Sequence, residues 1–160
     1  RPSWTWFRDS QRRLARNPYR IRVWPLVAIA GFFKRSPYPK KEIGERLAHW
    51  ALNKTYGHNV IPSGPLFRSA TFTDNAAYIT FDYAKGLRTS DGDPIRTFEI
   101  AEQEGLYYPA QAVVENGKVK VWNDQVTHPK LVRYGWQPFT RANLVNEAGM
   151  PASTFRAIKE

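Results

Sequence analysis

The chain has 160 residues, with 24 Lys/Arg against 14 Asp/Glu, a formal charge of +10, no cysteine, and six Trp, eight Tyr and nine Phe. That length is enough to bury a real core, the aromatic content excludes a disordered chain, and the lack of cysteine excludes a disulfide scaffold, a thiolate zinc site and a cysteine nucleophile. The most apolar stretch, Val23 to Phe33 between Arg22 and Lys34, falls short of the ~18 residues a membrane span needs.

Residues 4–16 carry Trp4, Phe7, Gln11 and Leu14 on one stripe at helical spacing, and Asn17-Pro18 stops the pattern. The charge is concentrated here: residues 1–50 hold twelve Lys/Arg against Asp9, Glu42 and Glu45, while the remainder is nearly balanced. A polyanion-binding arm built on Arg8, Arg12, Arg13, Arg16, Arg20 and Arg22 is one reading. The interleaved aromatics favour the other, a solvated helix face, so a nucleic-acid partner is not expected. Ile21 to Ala30 reads as a strand buried on both faces, as in a parallel sheet. Lys40–Tyr56 follows, with Ile43, Leu47, Trp50, Ala51 and Lys54 at three- and four-residue steps, Pro39 at its start and Gly57 suited to its left-handed cap. Residues 1–57 therefore predict a helix–strand–helix piece of an α/β domain. If it folds so, Trp4, Phe7, Trp24, Phe32 and Phe33 need cover from the β region or another chain.

From Val60 the texture becomes that of an antiparallel β region, a second unit over 60–160. Thr71–Thr73, Tyr78–Tyr83, Thr97–Ile100, Ala110–Val114 and Leu131–Trp136 read as strands. Asn116-Gly117 predicts a two-residue hairpin, because Lys118 to Trp122 alternates directly after it. After Pro138 the chain reads as a loop-like tail punctuated by Gly149-Met150-Pro151.

Recognisable catalytic or ligand-binding patterns are sparse. His49, His58 and His128 are too dispersed for a zinc signature, no acidic cluster has calcium-loop spacing, and neither a phosphate loop nor a Gly-x-Ser-x-Gly elbow is present. No cofactor and no metal are expected. Asp91/Asp93 and Glu102/Glu104 read as solvated turn charges. Tyr107, Tyr108, Trp122 and Trp136 are the aromatics with a chance of stacking on a sugar.

Taken in order, several motifs resemble the C-terminal part of bacterial sialate O-acetylesterase-like proteins, which are SGNH-type carbohydrate esterases. They are Trp4, Arg8 and Gln11; Lys41 to Ala48 with Trp50-Ala51-Leu52 and Lys54 to Gly57; Ser63-Gly64-Pro65-Leu66-Phe67; Gly86-Leu87; Asp91-Gly92; and Phe98 to Ala101. Val132-Arg133-Tyr134-Gly135-Trp136, Asn143-Leu144, Asn146, Gly149 to Ser153 and Phe155-Arg156 complete the series, with a gap over 17–36. The resemblance implies a Rossmann-like SGNH domain joined to β-sandwich-like modules, acting on acetyl esters of sialic acids or other glycans. It also implies export to the periplasm or the exterior.

The nucleophile such enzymes use would lie upstream of this chain. Their Asp-x-His-Pro pattern would fall just before the second helix, where Ser36 stands at the expected His and Lys34 at the expected Asp. A serine cannot accept a proton near neutral pH as imidazole does, so no intact catalytic residue is expected. The resemblance therefore implies a catalytically incomplete piece whose partner is an upstream half or a second copy. The alternative is a non-catalytic glycan- or partner-binding β module.

Overall fold

The computed structural model describes residues 4–14, 40–137 and 140–159. Helix α1 spans Trp4–Leu14 and α2 spans Lys40–Lys54. The strand expected at Ile21–Ala30, and with it Trp24, Phe32 and Phe33, lies outside the described residues. Phe7 remains 53% exposed, so the β region does not cover it.

Alternation then builds two antiparallel sheets. The first has the order β1-β2-β7-β6, with β1 at Leu66–Phe72, β2 at Ala77–Asp82, β6 at Gln111–Glu115 and β7 at Lys118–Trp122. The second has the order β10-β8-β4-β5, with β4 at Phe98–Ala101, β5 at Tyr108–Pro109, β8 at Leu131–Tyr134 and β10 at Phe155–Ile158. A two-stranded ribbon pairs β3 (Arg88–Thr89) with β9 (Leu144–Val145).

The predicted hairpin forms in register, Glu115 opposite Lys118, with Asn116 and Gly117 at φ 50° and 73° as a type I′ turn requires. On β7 the inward residues Val119 and Val121 are fully buried, whereas Lys120 and Trp122 stand on the outer face. Ile79, Val119 and Val121 of the first sheet meet Phe98, Ile100, Val132, Tyr134 and Phe155 of the second in one core. The result is a β-sandwich-like unit.

Two expectations need correction. The segment after Pro138 is not a loop-like tail: β10 pairs with β8 along Phe155↔Tyr134 to Ile158↔Leu131, and Phe155 sits at the centre of the core. Its four residues are too few to register as a periodic run, and its neighbours come from far along the chain. The strand expected from Thr97 starts one residue later, because Thr97 adopts φ 67° and its carbonyl accepts the Gly135 N–H at 3.1 Å.

The helices dock through specific contacts. Arg8 Nη2 donates to the carbonyls of Gly135 (3.1 Å) and Gln137 (2.7 Å), and Trp6 meets Trp136 edge-on at 5.2 Å. At the far end Trp50 of α2 meets Tyr83 at 6.4 Å, with the Lys54 ammonium over both rings. Asn53 Nδ2 donates to the Val60 carbonyl and so fastens the loop after α2. No helix among the described residues is long and apolar enough to cross a membrane.

Candidate functional site

Three of the motifs that carry the family resemblance, Ser63 to Phe67, Asn146 and Gly149 to Ser153, meet and act as a staple. Asn146 is fully buried; its Nδ2 donates to the carbonyls of Ser63 (3.0 Å) and Tyr83 (3.1 Å), and its Oδ1 accepts the Met150 N–H (3.1 Å). Every polar atom of that amide is used, which removes the cost of burying it. Ser153 N–H donates to the Pro65 carbonyl at 2.9 Å, which locks Ser63-Gly64-Pro65 against residues 150–153. Asn143 forms a parallel clamp: its Oδ1 accepts the Arg96 N–H and its Nδ2 donates to Asp91 Oδ1 and the Pro94 carbonyl. In the Val132–Trp136 motif, the Tyr134 hydroxyl accepts the Leu144 N–H at 3.0 Å, and burial pushes that phenol far above its usual range. Arg133 makes a bidentate pair with Glu99 directly across the sheet and lies 3.6 Å over the Tyr107 ring. These residues build the scaffold.

Two carboxylates are held in their charged forms. Asp91 is lowered chiefly by the Asn143 side chain, with the Asp93 amide and Arg96 adding to it. Glu102 is lowered chiefly by the His128 amide, together with the hydroxyl and amide of Thr127. A carboxyl depressed on folding stabilises above its ordinary value, here 3.8 and 4.5, and loses that contribution as pH falls through the lower folded value. Asp91→Asn with Glu102→Gln should therefore flatten the decline of Tm between about pH 5 and about pH 3, read by circular dichroism melts. An unchanged slope would show that neither group carries the acid sensitivity.

Nothing among the described residues makes a nucleophile–base pair in working order. The nearest approach is Thr127 Oγ1, 3.0 Å from His128 Nδ1. Its proton goes to Glu102 Oε1 at 3.2 Å, a carboxylate that also accepts the amides of Thr127 and His128. This exposed cluster closes a turn, and the lowered Glu102 is a poorer base than an ordinary carboxylate. His49 Nδ1 faces the Ile61 carbonyl at 3.1 Å, and no group of three or more metal-ligating side chains forms among the described residues. Ser36 and Lys34 lie outside the described residues.

Two cavities among the described residues bear on binding. A groove of about 940 Å³ between α1, β1 and β10 is lined by Arg12, Arg13, Phe67, Arg68, Arg156 and Lys159. Its guanidiniums are already committed: Arg12 and Arg13 to the buried Asp9 at 2.6 and 2.8 Å, Arg68 to Asp82, and Arg156 to Glu104. With Arg8 spent on two carbonyls, the described arginines of the polyanion arm, Arg8, Arg12 and Arg13, are all engaged within the fold, while Arg16, Arg20 and Arg22 lie outside the described residues. Burial also lowers Arg8 from its usual value. The second cavity, about 380 Å³, lies beside β7 and is lined by Trp122 and Lys120 with Asn75, Asp124 and Thr127. Of the four aromatics singled out in the sequence, Trp122 is the one that lines it. Tyr107 lies under Arg133, Tyr108 packs on the core and Trp136 on Trp6.

The described residues thus form a β-sandwich-like unit stapled at its edge by buried amides. A solved structure of a carbohydrate acetylesterase from Xanthomonas citri is similar to it at 34% sequence identity and a TM-score of 0.73, over 79% of this chain. The chain spans 30% of that enzyme's length. No family model and no curated protein matches the chain.

Proposed function

We propose that this chain is the C-terminal part of a sialate O-acetylesterase-like, SGNH-type carbohydrate esterase and does not turn over its substrate alone. The observation that carries the reading is the 34% identity and shared fold with a carbohydrate acetylesterase, confined to 30% of that enzyme's length. The substrate class is an acetyl ester on a sialic acid or another glycan. In this reading residues 1–57 belong to the hydrolase domain and 60–160 form its β-sandwich-like companion. The serine nucleophile comes from an upstream half, which is also the natural cover for Trp6 and Phe7, 46% and 53% exposed. A second copy is the other candidate for that cover, and export to the periplasm or the exterior is expected.

Ser36 in place of the histidine and Lys34 in place of the aspartate remove the base and invert the charge that would steady an imidazolium. The purified chain, given 9-O-acetylated N-acetylneuraminic acid or acetylated xylan, should release acetate no faster than the heat-denatured chain does. Saturable release by the chain alone, surviving both Ser36→Ala and Thr127→Val, would end the claim of incompleteness.

A second reading, a non-catalytic glycan- or partner-binding β module, is favoured by the Trp122 cavity. Binding of a glycan without turnover, even when the upstream half is supplied, would select it.

A further inference from the structure

We propose that the cavity beside Trp122 is a binding site for a neutral pyranose sugar, on the outer face of the first sheet. The choice of a sugar rests on the carbohydrate-esterase reading above; the cavity and its chemistry stand without it. Trp122 ends β7 and faces outward, opposite Gln111 of β6, so its indole is held on a rigid strand rather than on a loop. Behind it, Val126 is buried to 1% and supplies an apolar floor. Asn123 fixes the adjoining turn, donating to the Pro109 carbonyl at 2.8 Å and accepting the Gln125 N–H at 2.7 Å. The platform is therefore organised before any ligand arrives.

The rim carries uncommitted polar groups of both kinds. The Asp124 carboxylate and the Asn75 amide have no hydrogen-bond or ion-pair partner among the described residues, and both line the cavity. The Lys120 ammonium lies 5.6 Å from the centre of the Trp122 ring, its one contact there. A pyranose meets this set as a whole: its C–H face stacks on the indole in place of the lysine, while its hydroxyls reach a carboxylate, an amide and an ammonium. Lys120 and Asp124 balance in charge, which favours a neutral ring over an acidic one. The cavity's 380 Å³ falls in the range of small-molecule sites and leaves room for one or two sugar rings. The basic groove differs in that its guanidiniums already hold acidic partners from this same chain.

The test follows the backbone amide resonances of Lys120, Asn123 and Thr127, with the Trp122 indole N–H added where that residue is retained, as the full chain is titrated with xylotetraose, methyl β-D-glucopyranoside and tri-galacturonic acid. A saturable shift with a neutral sugar is expected, weakened at least about tenfold by Trp122→Ala. Asp124→Ala, on an exposed turn and harmless to folding, should weaken it by about two- to tenfold. Trp122→Phe, keeping a ring, should retain part of the affinity if Trp122→Ala fails to fold. No saturable shift with either neutral sugar, or a response to the acidic trimer alone, would overturn the proposal. Acetate release is measured on the same samples with the upstream half supplied. Turnover without binding at Trp122 defeats this site and leaves the esterase reading standing, whereas binding without turnover does the reverse.

Discussion

Phe155→Ala should destabilise the chain by about 4 kcal/mol, the largest effect expected of any single substitution here. The ring is fully buried and touches both sheets: it stacks on Phe67 at 4.4 Å and meets Phe81 at 5.7 Å, Phe98 at 6.1 Å and Tyr134 at 6.2 Å. Removing it leaves a void walled by four aromatic side chains, all on strands (β1, β2, β4 and β8) whose backbones cannot close in without disturbing their ladders. Domain stability is about 5–15 kcal/mol, so the variant should be marginal at room temperature. Urea unfolding should show a much lower midpoint with an unchanged slope. Phe155→Leu, which refills most of the volume, should recover more than half of the loss. A cost below about 1 kcal/mol would mean that β10 does not close the core.

Gly64→Ala should cost about 3 kcal/mol although it adds a single methyl group. A Cβ there would lie 2.1 Å from the Pro151 carbonyl oxygen and 2.8 Å from its carbon. Both atoms are backbone, in a segment pinned by Asn146 and by the Ser153–Pro65 hydrogen bond, so nothing at the contact can swing aside. Combined with Asn146→Ala, the loss should be less than the sum of the two, because either change releases the same staple. Gly44→Ala is the control: nothing lies within 4 Å of a Cβ there, and in α2 alanine should hold or slightly raise Tm. Equal effects at Gly64 and Gly44 would show that the close approach to Pro151 does not constrain the fold.

These two positions also show where sequence reasoning reached its limit. Asn116-Gly117 and the alternation from Lys118 to Trp122 announced their hairpin because a type I′ turn and a period of two are local properties. The helix over 40–54 was legible for the same reason, from apolar spacing between Pro39 and Gly57. Gly64, Asn143 and Asn146 were visible as members of a resemblance, yet their role was not, since each acts on residues brought to it by the fold. Asn146 reaches Ser63 across 83 positions of sequence. The charge count misled in a related way: it sets Asp9 against the basic residues as one charge among many, but not as the buried carboxylate that holds Arg12 and Arg13 together.

Local order, then, belongs to the sequence: turn chemistry, strand alternation, helical spacing and a resemblance to carbohydrate esterases can be read from neighbours along the chain. Tertiary structure alone decided that Phe155–Ile158 closes the core, that the motifs carrying the resemblance hold two sheets together, and that Trp122 lines the smaller cavity. The physical reason is that burial and hydrogen-bond partnership depend on which distant segments meet, and no spacing of residue types encodes those meetings one by one.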